Sequence, residues 1–345
     1  MNTKEILSKL VSIDTIQDKE NSILFDFVEQ YLAHLGFQTE KKEKYLIMSY
    51  GDSPKLGFVG HADTVEYIDG WKTNPFELTE RDGAYYGLGS VDMKGGIASF
   101  LTAISNIDLK DLKHGVKVYI TYNEEDGLQG IKDIVASGEN FPEYMIFGEP
   151  TDNIPMTACK GLFSVNLNTN GIKVHSSTPD KGRSAISLMM KLLTELEDYY
   201  NQNINVERNT LYEVPYTTMN IGLFNGGSAF NSVAKDCSSY IDFRVIDRKH
   251  IKMLKEKLTE LCNKYYGRYS VNFDIEPFDN DVEFFQEKYS AGFMTEASFV
   301  KERNRIILGP GPVTAHEIDE HVSIESLNQC IKQYEEIIKQ TCIKK

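Results

Sequence analysis

Three short apolar runs, each ending in a histidine or an acid, limit what this chain can fold into more than any other feature. Residues 56–59 lead into Gly60-His61-Ala62-Asp63, residues 115–122 into Asn123-Glu124-Glu125, and residues 144–147 into Gly148-Glu149-Pro150. The runs are too short for amphipathic helices. Their apolar, partly β-branched character predicts strands of a mostly parallel sheet buried on both faces. A helical pattern rich in small residues, 95–107, lies between the first two, giving the alternation of a doubly wound α/β domain. Ligands of such sheets collect beyond the carboxyl ends of the strands, so an imidazole and carboxylates there are candidates for a metal site.

The flanking sequence extends this plan. Apolar spacing predicts helices at 3–10 and 21–35, the second stopped by Gly36, and a strand at 45–50 before the turn at 51–54. From Gly161 the texture changes. A strand at 163–168, a helix at 184–200, strands at 218–223 and 237–245, a helix at 250–266 and a strand at 270–276 follow in order. That order predicts a small antiparallel sheet with two helices on one face, an α+β insert of ferredoxin-like type. Beyond Pro277, helices are expected at 282–289 and 323–339, around the loop Gly309-Pro-Gly-Pro312.

A chain of 345 residues with 41% hydrophobic content has material for two domains. Its formal charge of -14 argues against a nucleic-acid backbone or an anionic membrane as partner. The five cysteines, Cys159, Cys237, Cys262, Cys330 and Cys342, are odd in number and never form a C-x-x-C pair, which argues against disulfide frameworks and cysteine-zinc modules. The N-terminus lacks the apolar core of a signal peptide and no segment has the length of a membrane span, so a cytoplasmic protein is expected.

Taken one at a time, the polar residues are ordinary: a lone histidine or aspartate after a strand is more often a cap or a surface group than a ligand. Their joint placement carries the argument. His61, Asp92, Glu125, Glu149 and His316 offer nitrogen and oxygen ligands, most of them just past expected strands or in glycine-flanked loops. Two zinc ions sharing one carboxylate need such a set. Glu124 and Glu125 are adjacent and leave a strand in different directions, so one can ligate while the other reaches the reacting water.

These motifs resemble the M20 clan of dinuclear zinc amidohydrolases and peptidases, and the resemblance runs from about Asp52 to Val322 in the family's order. It implies a zinc-exopeptidase-like catalytic domain at 1–162 and 277–345, and a lid and dimerisation domain at 163–276. In Gly-His-x-Asp, His61 would ligate one metal and Asp63 orient it. Asp92, in Gly-x-Gly-x-x-Asp-Met-Lys-Gly, would bridge two Zn2+ (or Co2+) ions, with Glu149 completing the ligands of the first metal and Glu125 and His316 ligating the second. Glu124 would act as general base and then acid. In the insert, His175 would cross a homodimer interface to stabilise an oxyanion, and Asn231 and Arg244 would hold the substrate's backbone or carboxylate. Asn123 stands where many relatives have aspartate, and Ala234 where proline is common.

Within the clan, Asp69 to Gly89 and the His-Ser-Ser-x-Pro lid motif at His175 resemble the acetylornithine deacetylase branch most. The resemblance therefore implies hydrolysis of an N-acyl amino acid, N-acetylornithine first, in arginine biosynthesis. A dipeptidase, aminoacylase or succinyl-diaminopimelate desuccinylase is the alternative, and a non-catalytic binding protein a third reading.

Overall fold

The computed structural model describes residues 1–41, 44–301 and 303–343. The chain divides into two units, one of Met1–Thr157, Asn280–Tyr289 and Thr295–Lys345, the other of Ala158–Asp279 and Ser290–Met294. The first unit opens with α1 (Thr3–Val11) and α2 (Asn21–His34), then β1 (Gln38–Lys41), β2 (Leu46–Tyr50) and β3 (Leu56–His61). Two short strands, β4 (Thr79–Arg81) and β5 (Ala84–Tyr86), precede α3 (Lys94–Ser105), β6 (Val116–Thr121), α4 (Gln129–Ala136), β7 (Tyr144–Phe147) and β8 (Met156–Cys159). The second unit supplies β9 (Gly161–Asn170), α5 (Ala185–Asn203), β10 (Thr218–Gly226), β11 (Asp236–Val245), α6 (Arg248–Lys264), β12 (Gly267–Ile275) and β13 (Phe278–Asp279). The chain ends with β14 (Tyr289–Ala291), β15 (Asn304–Ile307), β16 (His321–Ser323) and α7 (Ile324–Ile338).

In the first unit the sheet runs β1-β2-β6-β3-β7-β15, parallel from β6 through β15, with antiparallel β2 and β1 closing one edge. Strand β3 is buried along its whole length because strands pair with both its edges and helices cover it. Phe58 shows the packing: its ring stacks on Phe100 of α3 at 4.2 Å and meets the Tyr334 edge of α7 at 5.8 Å. Full burial of such a side chain contributes about 1.5–3 kcal/mol. Gly96 lets α3 approach the strand ends, since a Cβ there would stand 2.1 Å from the Gly148 carbonyl oxygen. A separate three-stranded sheet, β16-β5-β4, pairs His321 with Tyr86.

The second unit has the expected ferredoxin-like build. Its antiparallel sheet runs β10-β11-β9-β12, and α5 and α6 pack on one face. Strand β11 alternates strictly: Cys237, Ser239, Ile241, Phe243 and Val245 point to the helices while the residues between them do not. Leu192, Leu196, Leu254 and Leu258 close the core from the helix side. Ser184 and Asp247 cap α5 and α6 by accepting from Ser187 and Lys249 backbone N–H groups.

One expected element is absent. Residues 282–289 form no helix; a turn there has a single Phe285 N–H to Val282 carbonyl bond of 3.0 Å, and β14 begins at Tyr289. The adjacent rings of Phe284 and Phe285, 4.9 Å apart, both pack against the first unit's core, which neighbouring helical positions 100° apart do poorly. All five cysteines are buried and none is in a disulfide. Among the described residues no helix is long and apolar enough to cross a membrane.

Candidate metal centre

Three neighbouring strands of the first unit deliver the centre. His61 ends β3, Glu124 and Glu125 lie in the turn after β6, and Glu149 follows β7 by two residues. Because β6 and β7 pair with opposite edges of β3, their exits converge on His61 at the point where the winding order reverses. Asp92 arrives on the loop before α3. His316 comes from the loop between β15 and β16, in the left-handed region at φ 62°.

The two oxygens of Asp92 face different imidazoles. Oδ1 lies 3.2 Å from His61 Nε2 and Oδ2 lies 3.6 Å from His316 Nε2, the disposition a shared carboxylate needs. Glu149 Oε2 stands 3.9 Å from His61 Nε2, and Glu125 Oε2 3.1 Å from His316 Nε2. One ligand atom each from His61, Asp92 and Glu125 fall within 4.8 Å of one another, as do those of His61, Glu124 and Glu149. Glu124 therefore lies beside the His61–Glu149 pair, and Glu125 beside Asp92 and His316.

Asp63 has two contacts here. Its backbone carbonyl, 2.9 Å from His61 Nδ1, is nearer that nitrogen than its carboxylate, 3.7 Å away. With Nδ1–H donated to that carbonyl, the Nε2 lone pair is turned to the carboxylates. Asp63 Oδ2 accepts from the Glu125 backbone N–H at 3.1 Å and so fixes the turn that carries both glutamates.

The electrostatics are those of a centre overloaded with acid. Burial, and then the neighbouring carboxylates, hold Glu149 well above its ordinary value. Glu124 is also raised, by burial first, although His61 opposes it. Burial alone would depress His61, but the bond to Asp92 and the charges of Asp63, Glu149 and Glu124 outweigh it and raise the imidazolium. His316 is pushed up to about 9, chiefly by its bond to Glu125. Buried carboxylates in such excess are expensive unless cations join them. The oxygen and nitrogen donor set, with no thiolate, fits a pair of divalent ions.

Two further acids contribute that the sequence motifs did not single out. Glu320 is buried directly before β16 and accepts from the backbone N–H groups of Gly89 (2.8 Å), Val91 (3.0 Å) and Asp92 (3.1 Å), which holds the Asp92 loop in place. Burial nonetheless pushes it up to about 7, against those three bonds. Glu296, 1% exposed, has no hydrogen-bond partner for Oε1, and burial pushes it up to about 7 while His61 opposes. The one signal in the sequence for Glu296 is an acid set among small and apolar residues, Thr295-Glu-Ala-Ser-Phe-Val300; Glu320 has only its place before a short strand.

His175, Asn231 and Arg244 lie in the second unit. The first two are neighbours, since Ser176 N–H donates to the Asn231 carbonyl at 3.0 Å and His175 pairs with Ser232. His175 Nδ1 accepts from Ser177 N–H at 3.2 Å, which leaves Nε2 as the N–H donor of an exposed ring. Arg244 stands apart on β11, where its Nε donates to Asp242 at 3.0 Å.

A mostly parallel sheet with imidazoles and carboxylates converging beyond its strand ends has the construction of a metallohydrolase. Residues 157–270 match the family model described as a peptidase dimerisation domain. An acetylornithine deacetylase of Pasteurella multocida (strain Pm70) is 32% identical, with 96% of this chain and 94% of that one aligned. A tripeptidase of Staphylococcus aureus superposes with a TM-score of 0.80 at 23% identity, covering 99% of this chain and 98% of that one. An M20 family metallo-carboxypeptidase of Sulfolobus solfataricus gives 0.76 at 19%, covering 98% and 99%. The chain belongs to the M20 family of metal-dependent hydrolases, which spans deacetylases and peptidases, and is itself a hydrolase.

Proposed function

We propose that this chain hydrolyses the amide bond of an N-acyl amino acid, with N-acetylornithine as the first substrate and arginine biosynthesis as the setting. The observation that carries the reading is Asp92 presenting one oxygen to each of two imidazoles, with Glu124 beside one of them. Relatives carrying the acetylornithine deacetylase name over nearly the whole chain support the substrate.

In this reading His61, Asp92 and Glu149 would hold one zinc or cobalt ion, and Asp92, Glu125 and His316 another. When bound, the pair supplies Lewis-acid polarisation of the acyl carbonyl and acidifies the attacking water. Glu124 accepts the proton as the water oxygen bonds to the acyl carbon. It then delivers the proton to the amide nitrogen as the C–N bond breaks, leaving acetate and the free amino acid. His175 donates Nε2–H to the developing oxyanion, and Arg244 and Asn231 hold the substrate's carboxylate end.

The reading includes a lid and dimerisation role for residues 163–276, and a homodimer in which His175 serves the partner's centre. The match to a dimerisation domain supports it, as does β10, an edge strand with exposed Leu223 and Phe224. A peptidase is the second reading, favoured by the tripeptidase and carboxypeptidase likenesses. The test is a hydrolysis screen of the zinc-loaded chain on N-acetylornithine, other N-acylamino acids and di- and tripeptides. Fastest turnover of N-acetylornithine is expected; a preference for peptides selects the second reading, and no hydrolysis at all overturns both.

A further inference from the structure

Among the expected metal ligands, His316 is the one that burial holds least. Its side chain is 54% exposed, whereas that of His61 is fully buried and those of Asp92, Glu125 and Glu149 are 14% exposed or less. It stands on the loop between β15 and β16, where Val313 and Ile318 are exposed as well, so apolar packing does little to fix that loop. His316 and Asp319 both take left-handed backbone, at φ 62° and 59°. Residues other than glycine keep that conformation where their surroundings enforce it.

Hydrogen bonds supply the enforcement. At the base of the loop, the Thr314 hydroxyl donates to the His321 carbonyl at 2.8 Å and accepts from the His321 N–H at 3.1 Å. His321 pairs with Tyr86 of β5, and their rings stack at 4.7 Å. On the far side, Asp319 Oδ1 accepts from the backbone N–H of Lys72 at 2.8 Å. That bond joins the His316 loop to the segment that leaves β3 through His61 and Asp63. The next residue, Glu320, holds the Asp92 loop instead. Two adjacent acids thus tether the loops of two different ligands. The Lys72 ammonium also lies 3.2 Å from Asp319 Oδ2, but its side chain is 73% exposed, and such surface pairs contribute little.

We propose that Asp319 is a positioning residue for the metal centre. By clasping the His316 loop to the Lys72 backbone it keeps His316 facing Asp92 and Glu125, and so sets the affinity for the ion that those three would hold. Without the clasp the loop would spend a smaller fraction of its time in the binding arrangement, and affinity falls with that fraction. The inference rests on the two-metal reading above and goes beyond it in naming a residue that touches no ion.

The test titrates zinc by calorimetry into the metal-free chain and into Asp319→Ala, Asp319→Asn and Lys72→Ala variants, with His316→Ala identifying the ion that His316 would hold. Asp319→Ala is expected to weaken that ion about 10–100-fold, as loss of a ligand's outer partner does, and to leave the other within about twofold of the wild type. Asp319→Asn keeps an oxygen acceptor for the Lys72 N–H, and Lys72→Ala keeps the N–H itself, so both are expected to bind the ion nearly as the wild type does. A pair acting through charge alone would weaken these two variants as well, and either of them matching Asp319→Ala overturns the inference. So does unchanged zinc affinity in Asp319→Ala, or weakening of both ions alike. Fewer than two ions in the wild-type chain overturns the two-metal reading and the inference with it, whereas a contrary result in the variants of a two-ion chain overturns the inference alone.

Discussion

Around His61 in the first unit, carboxylates from several stretches of chain crowd two imidazoles, whereas around Lys160 in the second a buried ammonium shares a cavity with Arg244 and Glu213 and donates to the Tyr216 carbonyl. The two regions differ in sign and in what they ask of a ligand. The first holds more acid than its own residues neutralise and gains when cations join it, whereas the second satisfies its ammonium with a backbone carbonyl. The surroundings differ as well. The acid-rich centre sits in loops beyond strand ends, held by hydrogen bonds such as the three that Glu320 accepts from Gly89, Val91 and Asp92, while the second unit's helix-covered sheet face is filled mostly by apolar side chains that need no ligand to pack. A ligand-dependent fold is therefore expected in one place and a self-sufficient one in the other.

The largest effect is expected at Asp92. Asp92→Ala removes the carboxylate facing both imidazoles, so metal content should fall below one ion per chain. Activity should drop by more than the roughly 10–100-fold that loss of an outer-shell partner costs. Metal analysis alongside turnover checks both.

Metal removal comes next. The chelated chain should melt earlier in the first unit, by an amount equivalent to about 2.7 kcal/mol relative to metal at a hundred times its dissociation constant, with the second unit's amide exchange unchanged. The metal-free protein should also lose stability as pH rises. Glu296 and Glu320, pushed up to about 7, bind protons in the folded state that the unfolded chain has released, so stability falls from about pH 4.5 to 7. His316 extends the same sign. Its contribution is complete below its ordinary value and is lost as pH rises through about 9. Metal reverses the trend on the acid side, because its ligands must be deprotonated. Melting curves at pH 5, 7 and 9, with and without zinc, read all of this.

Glu320→Ala should act at a distance. It strands the N–H groups of Gly89, Val91 and Asp92, costs on the order of 3 kcal/mol of stability and weakens metal binding about 10–100-fold. Titration with zinc against a chelating indicator measures the second effect. The smallest effect on the metal centre is expected from Ile241→Ala, inside the second unit's core. It should remove about 2–5 kcal/mol from that unit and leave the metal count as it was.

The strand-to-acid junctions were legible because burial on both faces forces an apolar run, and the first polar residue after it marks the sheet's edge. That rule pointed to His61, Glu124, Glu125 and Glu149. The alternation of β11 was equally plain, since one face of the sheet must be apolar to meet α5 and α6. Residues 282–289 misled because Val282, Phe284 and Phe285 fit helical spacing while two adjacent rings bury in a turn. Glu296 and Glu320 left almost no trace. Their roles arise from burial among groups remote in sequence, Thr121 and the Gly89–Asp92 loop, which one-dimensional spacing does not record.

Glu124 is the proposed proton carrier beside a loaded metal centre, and a Glu124→Gln chain puts that role to the test. Metal content and N-acetylornithine turnover would be measured on the same preparation. Two ions per chain are expected, as in the wild type, with turnover lower by about 10²–10⁴-fold. Near-normal turnover, or a wild-type chain that binds no divalent metal, would contradict it.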